Sequence, residues 1–205
     1  FRGGRPDLHG RVDAGAPEGD PKDLPPPREF VEGWNIGKPD AVFTLPREFT
    51  VKAKGEVAYQ YFVVPTDFTE DKWIQAAEAR PGNRAVVHHI IVFIQEPGKR
   101  GLEQRNLWST HLCGTAPGEE ADVFPPGTAK RIKAGSKLVF QMHYTPSGTV
   151  ATDRSMVGLL FAREPVKHQV IVDAVMNQRF RIPPGAPEHE VQASYTFREA
   201  STIWT

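Results

Sequence analysis

The sequence predicts an all-β protein, an antiparallel β-sandwich, and three observations carry the prediction. Short apolar or alternating runs rich in Val, Ile, Phe and Tyr recur along the chain, with the length and period of strands. Turn residues separate them: 19 prolines and 18 glycines occur in 205 residues, and these punctuate strands and break helices. Helical signals are few, and many short strands without helices resolve as sheets packed face to face.

Taken in order, residues 1–40 are rich in Gly, Pro and Asp without sustained periodicity and read as an extended lead-in or linker. Within them Leu24-Pro25-Pro26-Pro27 favours polyproline geometry, a strap across a surface. Strand patterns then begin at 41–45, 49–53 and 57–64, the last of these (VAYQYFVV) dense in aromatic and β-branched residues. The run 73–79 contains Gln-Ala-Ala-Glu-Ala, which has helical propensity, but it is short and stops at Pro81-Gly82, so it is assigned as a strand. Residues 84–95 and 137–145 form the two longest apolar runs, and 156–163, 168–175 and 191–197 follow. Between the two longest, residues 97–135 hold Gly98-Lys99-Arg100-Gly101, Gly114 to Gly118 and Pro125-Pro126-Gly127, and read as loop. No internal repeat is visible.

Composition narrows the function classes. Lys plus Arg and Asp plus Glu are both 25, so there is no electrostatic reason to expect nucleic acid or an anionic membrane as partner. Cys113 is the only cysteine, which excludes an intrachain disulfide, a CxxC redox pair, a Cys-rich zinc cluster and a CxxCH haem attachment. No apolar stretch approaches the eighteen or so residues of a membrane span. The chain does not open on a signal peptide, so any export signal is expected upstream or already removed. Walker, dinucleotide-binding, HExxH and GxSxG motifs are all absent.

The chemistry-bearing feature is Val86-Val87-His88-His89-Ile90-Ile91-Val92-Phe93, two adjacent histidines inside an apolar strand pattern. Burying imidazoles there is costly unless their ring nitrogens are satisfied, and neutral imidazole is the commonest metal ligand. A third histidine lies about fifty residues on, in Leu138-Val139-Phe140-Gln141-Met142-His143-Tyr144. Neighbours on a regular strand point to opposite faces. For His88 and His89 to hold one ion, the strand needs a bulge, a strong twist or an end there, and one imidazole can bind through Nδ1 while the other uses Nε2. The alternative puts one histidine in the core against a carbonyl and the other in solvent. Three neutral nitrogens without thiolate suit copper or zinc. His111 and Cys113 lie in a predicted loop and are candidate additional ligands; Gln141 and Tyr144 are candidate partners behind the ligands.

The same residues carry a family resemblance. Val87-His88-His89-Ile90-Ile91-Val92-Phe93 resembles the paired-histidine motif of the copper type II, ascorbate-dependent monooxygenases, which include peptidylglycine α-hydroxylating and dopamine β-monooxygenases. Phe140-Gln141-Met142-His143-Tyr144 resembles the family's strand bearing the third histidine of the first copper site. Phe124-Pro125-Pro126-Gly127-Thr128-Ala129-Lys130 resembles the loop that leads into it. The likeness runs from about residue 41 to 197.

The resemblance implies two jelly-roll β-sandwich domains with one copper each. His88, His89 and His143 would hold the electron-transfer copper of an enzyme that hydroxylates an aliphatic C–H with dioxygen and a reductant such as ascorbate. The family's oxygen-activating copper uses a His-x-His pair and a later Met, and this chain has no His-x-His. Ile182-Pro183-Pro184-Gly185 resembles the start of the second domain, so 41–165 would be the first copper domain and 166–205 a linker and the truncated start of the second. The animal enzymes are stapled by disulfides, whereas Cys113 has no partner here. The stretch from Val12 to Pro21 looks more like the join in bacterial relatives, where a c-type cytochrome module can precede the copper domains. A periplasmic or secreted location is implied. From other classes, a non-enzymatic β-sandwich interaction module with a structural three-histidine zinc site, and a hydrolytic zinc enzyme weakened by the lack of a nearby carboxylate base, remain the alternatives.

Overall fold

The structure, a computed structural model, describes residues 20–23, 33–99, 108–119, 121–197 and 199–203, together with Gly15 and Pro26. Every strand found among the described residues lies in the unit Gly33–Thr205. Of the preceding unit, the described residues include the 3₁₀ turn Pro21–Asp23. Apart from Pro26, the expected polyproline run falls outside the described residues, as does most of 12–21.

Twelve strands are found among the described residues: β1 Ala41–Thr44, β2 Phe49–Val51, β3 Gln60–Pro65, β4 Lys72–Arg80, β5 Val87–Gln95, β6 His111–Thr115, β7 Asp122–Val123, β8 Thr128–Ile132, β9 Lys137–Tyr144, β10 Ala151–Asp153, β11 Met156–Phe161 and β12 His168–Gln169. One sheet runs β1-β11-β4-β8-β12 with β7 beside β4, the other runs β3-β9-β5-β6, and β10 pairs with β2. Pairing is antiparallel except for β12 with β8.

Period-two patterning explains the packing. In β9, Leu138, Phe140, Met142 and Tyr144 are buried in the core, while Gln141 and His143 lie on the other face and are only partly buried. In β5, Ile90, Val92 and Ile94 point to the same core. They meet Ile74, Ala77, Ala79, Val157, Leu159 and Ile132 from the larger sheet, which makes the protein a β-sandwich around one core. Segment 33–40 covers part of the larger sheet's outer face. A Cβ on Gly158 would stand 2.8 Å from the Trp34 ring, and Glu78 accepts hydrogen bonds from Asn35 N (2.7 Å) and Nδ2 (3.0 Å) and from Ile36 N (3.3 Å).

Three expectations need correction. Residues 97–135 were expected to be loop, but β6, β7 and β8 lie there. These strands are short and carry Lys130, Asp122 and Gly114 where an apolar run would advertise a strand. Residues 168–175 keep strand geometry only at His168–Gln169, with Val170 N adding one bond to Ala129 O at 2.8 Å. No strand occurs in the described part of 191–197. Val191, Tyr195 and Phe197 are exposed, so the alternation turns no apolar face into the core.

Candidate metal centre

The histidines converge because of one irregularity. Along β5 and β9, Val87 stands opposite Tyr144 and His89 opposite His143, so the register shifts between Val87 and His89 and His88 is the extra residue. That is a β-bulge, which gives consecutive residues the same side of a strand. It resolves the geometric obstacle posed by adjacent histidines. His89 and His143 become cross-strand neighbours on the outer face of the four-stranded sheet, and His88 joins them from the bulge.

The ring nitrogens form a compact set. His88 Nδ1 lies 3.1 Å from His89 Nδ1, and His143 Nδ1 lies 3.4 Å from the same atom. Potential ligand atoms of the three residues all fall within 4.8 Å of one another. Hydrogen bonding alone cannot satisfy this arrangement. A ring nitrogen carries either one proton or one lone pair, so His89 Nδ1 can match only one of its two nitrogen neighbours. A shared cation satisfies all three lone pairs. Two nitrogens held about 2.0–2.1 Å from one ion at a tetrahedral angle stand about 3.3 Å apart, close to both separations. The residues present therefore fit a metal ion of the imidazole-binding kind, with neither thiolate nor carboxylate in the cluster.

Electrostatics favour the ligand form. Burial, with smaller contributions from His143 and His88, lowers the His89 pKa, partly opposed by Glu119. Neutral imidazole is the form that binds metal, so proton competition at His89 begins at lower pH than for an ordinary histidine.

Of the other candidate residues, Gln141 shares the outer face and its Nε2 donates to Tyr61 Oη at 2.7 Å. Tyr144 points instead into the core, where its hydroxyl donates to Asp153 Oδ2 at 2.9 Å. Cys113 and His111 are not part of the cluster. Cys113 is fully buried in the core, on the face opposite His89, and burial holds its thiol protonated. His111 pairs with Phe93, four residues from His89, or about 13 Å along the strand. Burial pushes its pKa down to about 4. Tyr59 is a neighbour that histidine spacing does not reveal: its ring stacks on His143 at 5.0 Å and lies 5.7 Å from His89. The signal available was its place just before β3, in the strand pattern that pairs with the His143 strand.

Comparisons with protein-family models, curated proteins and solved structures find no match. Three imidazoles on an accessible sheet face, His88 exposed and the others partly buried, leave an open side for a further ligand or a diffusing reagent.

Proposed function

We propose that this chain is the electron-transfer copper half of a copper-dependent monooxygenase, one that hydroxylates an aliphatic C–H with dioxygen and a reductant such as ascorbate. The observation that carries the reading is the bulge-built convergence of His88, His89 and His143, taken with the resemblance of the flanking motifs. Copper, when bound, supplies one-electron cycling between Cu(II) and Cu(I), and imidazole accommodates both states. The chain's residues contribute the holding and the access. Burial keeps His89 neutral, Tyr59 packs against two of the three rings, and the open outer face lets an external reductant approach. No acid or base of the chain is needed at this centre.

On this reading the oxygen-activating copper and most of the substrate pocket belong to a second domain, and jelly-roll winding, a periplasmic or secreted location and a c-type cytochrome module in the parent protein go with it. A non-enzymatic sandwich holding structural zinc is the rival, favoured by the same donor set, which suits zinc equally. Loading the purified chain with Cu(II) and recording metal stoichiometry and electron paramagnetic resonance before and after ascorbate separates them. One copper per chain, with a nitrogen-ligated type 2 signal that ascorbate removes and oxygen restores, is the expected result. Tight zinc binding without reversible copper reduction would overturn the oxidoreductase reading.

A further inference from the structure

We infer that Asp153 is the positioning residue of the three-histidine centre, tying together the two chain segments whose relative register creates the bulge at His88. This deepens the metal-centre reading and rests on it. Asp153 is 2% exposed, and each of its oxygens is met by donors. Oδ1 accepts from Asn83 N at 2.8 Å and from Ser155 Oγ at 3.1 Å. Oδ2 accepts from Tyr144 Oη at 2.9 Å and shares the single Ser155 hydroxyl proton with Oδ1, its own distance to Ser155 Oγ being 2.9 Å. Ser155 Oγ in turn receives Gly82 N at 3.3 Å. No ion pair to Asp153 is found among the described residues. A buried carboxylate is expensive unless several donors surround it, so this side chain has a strongly preferred position.

What it holds is the site. On one side, Tyr144 directly follows His143 and stands opposite Val87 at the edge of the bulge. On the other, Asn83 O accepts from Val86 N (3.3 Å) and Val87 N (3.1 Å), the two residues before His88. Asn83 Oδ1 accepts from Ala85 N at 3.1 Å, and Thr145 N donates to Val86 O at 2.8 Å to close the far edge. One carboxylate thus spans the entry to β5 and the end of β9. None of these contacts touches a histidine ring, so the action of Asp153 is indirect.

The test uses Asp153→Asn and Tyr144→Phe beside the wild-type chain and His143→Ala. Phenylalanine keeps the ring that stacks on Phe49 at 4.9 Å, so Tyr144→Phe loses the tie while the core stays filled, and it carries the test if Asp153→Asn does not fold. Copper affinity by chelator competition should fall in each folded variant, and the copper hyperfine splitting should change. Wild-type affinity and spectrum in both variants, with only the unfolding midpoint lowered, would overturn the proposal and leave Asp153 as a structural residue. Wild-type copper binding that His143→Ala leaves unchanged would instead overturn the metal-centre reading itself.

Discussion

His143 and His111 illustrate opposite uses of the same side chain. His143 is partly buried on a sheet face beside two other imidazoles, so truncating it removes a candidate ligand but little packing. His143→Ala is expected to lower copper affinity at least about 100-fold while shifting stability by no more than about 1 kcal/mol, as chelator competition and urea unfolding of the apo protein will read. His111 is held neutral by burial, with a smaller contribution from the Lys130 ammonium. Its backbone oxygen accepts from Lys130 Nζ, a link between the two sheets, and burial lowers the Lys130 pKa to about 8. The unfolded chain takes up the His111 proton near pH 6.5 and the folded chain only near about 4, so acid favours unfolding between those values. The stability contributed by neutral His111 is complete above pH 6.5 and falls by on the order of 3 kcal/mol as pH drops to about 4. Urea midpoints at about pH 7.5 and 4.5 should therefore differ less in His111→Gln than in the wild type.

At the scale of elements, the turn 81–86 and strands β5, β9 and β10 form one device. Gly82 shows how tightly it is built. A Cβ there would lie 2.6 Å from Arg154 O and 2.9 Å from Arg154 N, both backbone atoms, so neither neighbour can swing away. Gly82→Ala should destabilise the fold by about 1–3 kcal/mol and disturb the copper spectrum as well, because the displaced turn leads into His88. A variant with a lowered thermal midpoint but an unchanged spectrum would show that the turn and the ligands are uncoupled. The need for a bulge was legible in the adjacency of His88 and His89, since period-two geometry forbids a shared site without one. Its partner, the Asp153 network, was not legible: Asp153 lies in a three-residue strand, and nothing local marks it as buried.

Over the whole molecule, the two sheets share one core, and Phe140 stands fully buried within it. Phe140→Ala should cost about 3–5 kcal/mol. Because both sheets depend on that core, the far-ultraviolet circular dichroism and the near-ultraviolet aromatic signal should be lost in one transition. A metal ion held at the candidate site would act on the same equilibrium. At free copper about a hundredfold above its dissociation constant, the folded state gains about 2.7 kcal/mol. Scanning calorimetry should show a raised midpoint that a chelator reverses and that His143→Ala lacks.

The sequence by itself determined the fold class and the residues of the candidate site. Strand periodicity records which face meets the core, and histidines within such runs stand out because they break it. It also indicated 73–79 as a strand despite the helical propensity of Gln75 to Ala79, because the run is short and stops at Pro81-Gly82; the observed strand is Lys72–Arg80. Only the tertiary structure decided which residues act together. β6, β7 and β8 exist through ladder bonds to distant partners rather than through apolar runs. Tyr59 meets His143 across a pairing of segments about eighty residues apart. Cys113 and His111, close to the site in one reading of the sequence, are separated from it by the sheet and by strand length. Local patterns specify faces, while register and burial arise only when remote segments pair.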